Sequence, residues 1–430
     1  MTVLIIAYYF PPAGGGGVQR IAKFVKYLSR AGVNCIIITA EGDDYVETDD
    51  SLLLELEHVT IIRISSPLSK KKTNEIRTIQ AVNLPWQDSD CKSIKGALIK
   101  FLRTFILIPD SQIFWTGMVI LRVRRILKEY NPNAIMVTGP PFSSYLAAYV
   151  SKKNHRKPVI LDYRDPWTQL FHSYRKNENW LRKKLEYFLE KRITQNADYI
   201  IGTTNIILEY FSSEGFQINK NRLKLIYNGF DPEDFLDVKA KEFDTFSIVY
   251  TGKVTPFEYS ALPFLKAFHV FVDRFKVSPN DIRIFFLGAF DDPDSYNYLE
   301  DHNLSSYVEI MGYQPHNRIL AYQAGADILL LTLREGFTDK YIILGKLFEY
   351  LKHKRPILAM IPEESPMNNI LIDYPLAAVS RTDDLESIVV AISRLFNEGN
   401  PYNELPTSSL NGFNRENQAK QLLTLLESLN

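Results

Sequence analysis

Residues 3–20 read VLIIAYYFPPAGGGGVQR, and this stretch sets the fold class. Val3 to Phe10 is apolar almost throughout, which is typical of a strand buried on both faces of a parallel sheet. Four glycines at 14–17 follow, and from Val18 to Ser29 the apolar residues recur at helical spacing. A second apolar run, Cys35 to Thr39, completes the pattern, so the stretch predicts a βαβ unit.

The same alternation of apolar runs and helical segments continues along the chain in two series. The first ends at IYNGFDPEDF, residues 226–235, whose Asn-Gly and Asp-Pro pairs are turn signals, and the second begins at Phe246. We therefore predict an α/β protein of two doubly wound, Rossmann-like domains facing a central cleft, with ligands at the carboxyl ends of the strands. The predicted domains are residues 1–235 and 245–412, followed by a C-terminal helix, 413–430, that packs back on the N-terminal domain.

Composition limits the function before any motif is considered. The chain has 430 residues, 46% hydrophobic and 23% charged, as in an ordinary globular protein. Basic and acidic residues balance at 50 each, so no nucleic-acid partner is expected. Two cysteines cannot supply a disulfide framework or a cysteine-based zinc site. No stretch is apolar for the ~20 residues of a spanning helix, and the N-terminus carries no basic leader, so we expect a cytoplasmic protein.

One segment departs from this neutral balance. Residues 92–128 contain eight basic side chains and a single acidic one, Asp110, with aromatic residues among them. Basic and aromatic residues together are typical of a surface that binds anionic lipid. The alternative is an ordinary pair of surface helices with a buried apolar face. The sequence leaves both open, and the first predicts peripheral contact with the inner face of a membrane.

The glycine run lies between a predicted strand and a predicted helix. Glycines there let the backbone approach a ligand, and a helix N-terminus favours an anion. Pro11 and Pro12 lengthen the turn, and no acidic residue closes the next strand cleanly, so the run differs from a dinucleotide fingerprint. Gly16 and Gly17 are therefore candidate donor contacts. A purely structural turn and a dinucleotide-dependent oxidoreductase remain as alternatives.

Longer motifs carry a resemblance to a known family. Five of them, in this order, resemble motifs of the family-4-type glycosyltransferases with the GT-B fold: YYFPPAGGGGVQR (8–20), TGPPFSSYLAAYVSKK (138–153), LDYRDPW (161–167), IYNGFDPEDF (226–235) and LGKLFEYLKHKRPILA (344–359). The resemblance implies a retaining, metal-independent, hexosyltransferase-like enzyme of bacterial surface polysaccharide assembly. Its donor would be a UDP- or GDP-linked sugar that is a substrate, with no cofactor. The donor would bind the C-terminal domain, and the acceptor, a glycan or lipid-linked glycan, the N-terminal domain.

Two lysines are candidate catalytic cations on the donor side, because a departing nucleotide diphosphate needs positive charge. Lys346 opens a predicted helix, and Lys253 follows Gly252 directly after a predicted strand, where the family commonly carries Arg. Glu349 lies one turn after Lys346 on the same helix face, and the resemblance assigns it the ribose hydroxyls. The alternatives are surface lysines and a helix salt bridge.

Further donor contacts follow from the resemblance. They are Gly252 before Lys253, Leu347 beside Lys346, the loop Glu335-Gly336-Phe337 around the donor sugar, and Tyr313, whose turn would hold the base through backbone groups. A plain turn is the alternative for Tyr313.

The chain also departs from the family at two positions. The pattern Glu-x7-Glu would place an acid at Tyr341, and the nearest upstream acids are Asp339 and Glu335. The position five residues after Lys253, often Lys in the family, is Glu258, which leaves one diphosphate cation fewer. The missing acid keeps a second reading open, a non-catalytic nucleotide-sugar-binding or scaffolding subunit.

The acceptor side is predicted at the end of the strand Val159 to Asp162. Arg164 and Asp165 follow this strand, so they lie at the edge of the sheet where α/β proteins bind ligands. Asp165 would orient the acceptor hydroxyl and Trp167 would offer a flat face to a sugar ring. Arg20, one turn into the first helix, would meet a phosphate. The alternatives are a loop network or helix cap for Asp165 and a helix surface for Arg20. The histidines show no ligand spacing, so no metal site is predicted.

Overall fold

The computed structural model describes residues 1–14, 16–41, 50–56, 58–67, 106–172, 179–336, 339–398 and 407–429. The chain divides into two compact units. Unit 1 comprises Met1–Tyr227 together with Arg415–Asn430, and unit 2 is the continuous segment Asn228–Asn414. Each unit is an α/β structure with its own hydrophobic core.

Unit 1 is built on a parallel sheet. Its strands are β1 (Thr2–Ile6), β2 (Asn34–Ala40), β3 (Thr60–Ile64), β4 (Ala134–Gly139), β5 (Val159–Tyr163), β6 (Tyr199–Gly202) and β7 (Leu223–Leu225). Within the described residues they lie in the order β3-β2-β1-β4-β5-β6-β7. The order reverses between β1 and β4, which makes the sheet doubly wound.

The helices of unit 1 cover both faces of this sheet. They are α1 (Gly16–Arg30), α2 (Ser51–Leu54), α3 (Ile113–Tyr130), α4 (Ser144–His155), α5 (Trp180–Asn196) and α6 (Asn205–Ser212). Local sequence sets their ends: the Asn179 side chain accepts a hydrogen bond from the Leu181 N–H at the start of α5, and Asn131 ends α3 in the left-handed region with φ 41°.

Unit 2 repeats the plan. Its strands are β8 (Phe246–Thr251), β9 (Ile282–Leu287), β10 (Val308–Ile310), β11 (Ile328–Thr332), β12 (Ile357–Met360) and β13 (Ala377–Ser380). Its helices are α7 (Leu262–Phe275), α8 (Pro293–Asp301), α9 (His316–Gly325), α10 (Gly345–His353), α11 (Asn368–Leu371) and α12 (Leu385–Glu398). Among the described residues the strand order is β10-β9-β8-β11-β12-β13, and the reversal falls between β8 and β11.

The chain then returns to unit 1. Its last helix, α13 (Arg415–Glu427), packs on α1, and Leu422 and Leu426 are fully buried in the same cluster as Phe24. The last helix therefore completes the core on one face of the unit 1 sheet.

The predicted α/β class with two doubly wound sheets is confirmed. One strand is shorter than the sequence predicts, because β1 ends at Ile6 although the residues that follow are apolar and mostly buried to Phe10. An apolar run indicates that a segment is buried, whereas a strand also needs backbone hydrogen bonds to a neighbouring strand. Among the described residues, no helix is both long and apolar enough to cross a bilayer.

Candidate functional site

The carboxyl end of β8 lies at the reversal point of the unit 2 sheet. β8 ends at Thr251, and Gly252 follows with φ 115°, a conformation that side chains rarely adopt. A Cβ added at Gly252 would lie 3.1 Å from Lys346 Nζ. Glycine at this position therefore lets the lysine side chain of α10 lie against the strand end.

Lys346 holds a buried ammonium group at this point. Its Nζ is 3.7 Å from the centroid of the Tyr250 ring, and it has no hydrogen-bond partner among the described residues. Burial lowers the pKa of Lys346 to about 7, and the nearby Glu349 carboxylate opposes the decrease. Lys346 also lies in the first turn of α10, where helix N–H groups favour an anion. The structure thus places an unpaired, dehydrated amine where an anion would be stabilised.

Glu349 is held one turn further along α10. Gln323 Nε2 donates to one carboxylate oxygen at 2.9 Å, and His316 Nε2 is 3.0 Å from the other. Burial raises the pKa of Glu349, but the hydrogen bonds from His316 and Gln323 outweigh it, so the pKa lies below its ordinary value. Within the described part of unit 2, no ion pair joins Glu349 to Lys346. Each oxygen can still accept a second hydrogen bond, so an ionised carboxylate remains able to bind hydroxyl groups.

The network of Glu349 extends back to the end of β8. Gln323 Nε2 also lies 3.1 Å from Thr251 Oγ1, which is in turn 3.1 Å from the Tyr350 hydroxyl. His353, at the end of α10, has a buried Nε2 without a partner in the described residues, and burial lowers its pKa to about 4. The contacts of Thr251 with Gln323 and Tyr350 fix α10 against β8, and burial keeps His353 neutral.

A cavity of about 410 Å³ opens beside this edge, at the carboxyl ends of β11, β12 and β13. Asp339 lines it, is 1% exposed, and has no hydrogen-bond partner for either carboxylate oxygen among the described residues. Burial raises the pKa of Asp339, and nearby backbone N–H groups oppose the rise. Lys340 pairs with Glu364 in the cavity wall, and Arg381 Nη2 donates to Asp383 at 2.8 Å. Asp339 is therefore a buried carboxylate in the wall of a polar cavity, with the backbone N–H groups of Gly336 and Lys340 near it but no hydrogen bond of good geometry to a described residue.

The other predicted donor residues are placed as follows. Lys253 and Tyr313 are exposed, and Glu335 and Gly336 lie on the loop after β11, at the mouth of the cavity or beside it. Glu258 touches this loop, since its backbone oxygen accepts from the Arg334 N–H at 2.8 Å.

Leu347 and Phe337 are the remaining predicted donor contacts. Leu347 is fully buried, and its N–H bonds to the Leu344 oxygen, so its side chain belongs to the core rather than to a surface that faces a ligand. Phe337 lies outside the described residues.

The reversal point of unit 1 brings together Gly17, Arg164 and Asp165. A Cβ at Gly17 would lie 2.0 Å from Arg164 Nη1, so the first turn of α1, which begins at Gly16, meets the guanidinium at Gly17. Asp165 is half-buried and its carboxylate makes no hydrogen bond to a described residue. Burial raises its pKa, and Arg164 opposes the increase. A cation and an acid thus lie together at a helix N-terminus.

Arg20 and Trp167 lie in the core instead, which corrects two acceptor predictions. Arg20 is fully buried, and its Nη2 donates to Asp162 at 2.8 Å while its Nη1 donates to the Tyr227 oxygen at 2.7 Å. Trp167 is 1% exposed, stacks on Phe142 with ring centroids 5.4 Å apart, and donates from Nε1 to a buried glutamate. Their flanking motifs pointed to a site, but pairing within the core accounts for both.

Solved structures share the fold over the whole chain. Sucrose-phosphate synthase from Thermosynechococcus elongatus has a TM-score of 0.68 at 14% identity, covering 100% of this chain and 98% of that one. The lipopolysaccharide outer core galactosyltransferase WaaB has a TM-score of 0.59 at 13% identity, covering 100% of this chain and 99% of that one. A glycosyltransferase from Rickettsia africae ESF-5 has a TM-score of 0.58 at 13% identity, covering 100% of this chain and 98% of that one. At these identities the likeness establishes the fold alone. No curated protein matches this chain in sequence.

The two doubly wound units and the solved structures that share them identify the GT-B fold. The model of Glycosyltransferase Family 4 matches residues 14–234, just over half of the 430 residues. The chain belongs to this family, which confirms the resemblance carried by the motifs.

Proposed function

We propose that this protein transfers a sugar from a nucleotide-sugar to an acceptor hydroxyl, with retention at the anomeric carbon and without a metal ion. The observation that carries this proposal is the buried amine of Lys346. It lies unpaired among the described residues, next to Gly252 and at a helix N-terminus. A nucleotide diphosphate supplies the negative charge that such a group lacks.

The donor is assigned to unit 2. Lys346 and the first turn of α10 hold the diphosphate, and Lys253, exposed at the end of β8, adds a second positive charge. Glu349 accepts hydrogen bonds from the ribose hydroxyls with the lone pairs that His316 and Gln323 leave unused. The base lies at the turn that carries Tyr313. Among nucleotides, UDP and GDP are the ones that the family resemblance favours.

The glycosyl group of the donor is assigned to the cavity beside β11. A sugar offers several hydroxyl donors, and Asp339 supplies a buried carboxylate in the cavity wall whose oxygens lack a hydrogen-bond partner of good geometry among the described residues. An unsatisfied buried carboxylate costs roughly 1–3 kcal/mol or more, which a hydroxyl partner would relieve. Asp339 thereby takes the sugar contact that the family gives to an acid at the position of Tyr341.

The acceptor is assigned to unit 1, at Asp165. In the transfer step the bond from the anomeric carbon to the diphosphate oxygen breaks, and the acceptor oxygen bonds to that carbon on the same face. The proton of the acceptor hydroxyl passes to the departing phosphate. Asp165 orients the hydroxyl, and Lys346 stabilises the charge that grows on the leaving group. A glycan or lipid-linked glycan at the inner face of a membrane, within bacterial surface polysaccharide assembly, is the acceptor that the resemblance favours.

A panel of UDP- and GDP-sugars tests the donor assignment. A donor at a hundredfold excess over its Kd stabilises the folded protein by about 2.7 kcal/mol, which thermal denaturation detects. Lys346→Met should lose most of this shift. Lys266→Met, at an exposed lysine on α7 in the same unit, is the matched control and should retain it.

Two results would contradict the proposal. If no nucleotide-sugar stabilises the wild-type protein, the donor assignment fails. If a donor binds but is neither hydrolysed nor transferred to any acceptor, the chain is a nucleotide-sugar-binding subunit without catalysis.

A further inference from the structure

Helix α5 turns an apolar and basic face towards solvent, and the chemistry above does not use it. This face, called the α5 face below, consists of six exposed residues: Trp180, Leu181, Lys184, Leu185, Phe188 and Arg192. The four apolar members are between 42% and 65% exposed. At 3.6 residues per turn all six fall within an arc of roughly 140°. They therefore form one continuous side of the helix.

The acidic side chains of α5 lie only on its buried side. Glu186 and Glu190 are fully buried: Glu186 pairs with Arg182, with Nε 2.6 Å from Oε1, and Glu190 accepts from the Thr168 N–H. Burial raises the pKa of Glu190 to about 8, so it carries a proton at neutral pH. Lys184 and Arg192 face solvent. No acidic side chain of α5, all of whose residues are described, is exposed, so the α5 face is purely positive.

The basic groups lie over the aromatic rings of the same face. Lys184 Nζ is 4.9 Å from the centroid of Trp180, and Arg192 Cζ is 5.6 Å from that of Phe188. In each pair the aromatic ring and the cation therefore lie next to each other on the same exposed side of α5. This is the combination that reaches into a lipid headgroup layer, with the ring among the acyl chains and the cation at a phosphate.

The neighbouring helices extend the same character. α4 packs between α3 and α5, and α3 exposes four basic side chains: Arg122, Arg124, Arg125 and Lys128. Arg182 Nη2 donates to the Pro109 oxygen at 2.9 Å, which fixes residues 106–109 beside the first half of α5, and Ile106 there is 45% exposed. Among the described residues of unit 1, every exposed large apolar side chain except Leu54 lies on α3, on α5 or at Ile106, although α3 also exposes one acid, Glu129.

We propose that the α5 face docks on an anionic lipid surface. Charge complementarity selects this occupant, because a second copy of the chain would bring the same positive face against it. The inner side of α5 contacts Trp167, two residues from Asp165, so a docked face would bring the bilayer beside the edge that we assign to the acceptor. The inference rests on the proposed function for the nature of that acceptor alone, whereas docking itself needs no activity.

Vesicle flotation tests the proposal with the full chain and no substrate. Wild-type protein should float with vesicles in which about a third of the phosphatidylcholine is replaced by phosphatidylglycerol. It should not float with phosphatidylcholine alone, and high salt should release it. Lys184→Ala with Arg192→Ala should lower partitioning about thirtyfold, since each basic residue contributes ~1 kcal/mol. Trp180→Ala with Phe188→Ala should also release the protein, but with little change in the salt dependence of what remains.

Matched controls lie in unit 2 on α7. Lys266→Ala removes an exposed lysine and Phe275→Ala an aromatic ring that is 47% exposed, and neither should change flotation. Circular dichroism verifies that each variant is folded. Three results overturn the inference: no flotation at low salt, flotation that the α5 variants leave unchanged, or a dimer in sedimentation that the same variants dissociate. Donor titration with the α5 variants should match wild type, so loss of docking is separable from loss of the donor site.

Discussion

The affinity of this protein for a nucleotide-sugar should fall as the pH rises through neutrality, and Lys346 is the cause. Burial lowers the pKa of its amine from 10.5 to about 7. This difference corresponds to ~5 kcal/mol between the protonated and neutral forms. An exposed lysine would stay charged throughout this range. Because a diphosphate interacts with the protonated form, the neutral form must first regain its proton to bind.

The magnitude follows from the protonated fraction. With a pKa of about 7, roughly nine tenths of the amine is protonated at about pH 6 and roughly one thirtieth at about pH 8.5. If binding requires the protonated form, the apparent Kd rises about thirtyfold between these two values. The diphosphate of a nucleotide-sugar does not itself titrate in this range, so the change reports on the protein.

Isothermal titration with one nucleotide-sugar across this pH range measures the effect. Lys346→Met should bind weakly with a flat profile, and Lys346→Arg should give a flat profile because a guanidinium stays charged. His316→Gln controls for titration of the imidazole beside Glu349. The reasoning is refuted if wild-type affinity is constant across the range, or if Lys346→Met retains the dependence on pH.

Three further substitutions test the assigned roles. Glu349→Gln should weaken nucleotide binding by roughly 1.5–3 kcal/mol, measured by titration, through loss of charged hydrogen bonds to the ribose; unchanged affinity would remove it from the donor site. Asp165→Asn should lower transfer about 10²-fold and leave donor binding nearly intact; a collapse of donor binding instead would place it in the donor site. Gly17→Ala should lower transfer without changing donor affinity, because the added Cβ would lie 2.0 Å from Arg164 Nη1. Gly117→Ala, where a Cβ meets nothing within 4 Å, is its control, and equal transfer rates in these two variants would contradict a role for Arg164.

Most of the fold could be predicted from local sequence patterns. The amphipathic spacing of residues 180–196 predicts helix α5 with the bounds that the structure has, Trp180–Asn196, because this spacing and the Asn179 cap are both local features. Lys346 and Glu349 could likewise be paired from spacing on a single helix. The end of β1 at Ile6 could not be predicted from local sequence, since the hydrogen bonds that define a strand depend on partner strands elsewhere in the chain.

The partners of the site residues depend on long-range packing. His316 and Glu349 are 33 positions apart and carry no joint motif, and Arg20 meets Asp162 across 142 positions. The burial of Trp167 against Phe142 is of the same kind. The sequence marks Asp339 only as an acid upstream of Tyr341. Its burial in the cavity wall depends on how the segments after β11, β12 and β13 pack together.

The position of α13 has a consequence for how the chain folds as it is synthesised. Residues 1–227 leave the ribosome first, yet the helix that covers α1, with Leu422 and Leu426 in the shared core, is translated only after unit 2. Unit 2 is one continuous segment, so its fold needs no residue translated after it. We therefore expect residues 228–414 to reach their native state on the ribosome before unit 1 does, which inverts the usual order in which the N-terminal domain folds first. Until α13 emerges, the part of α1 that α13 contacts stays uncovered, and the nascent unit 1 is a natural client for a chaperone.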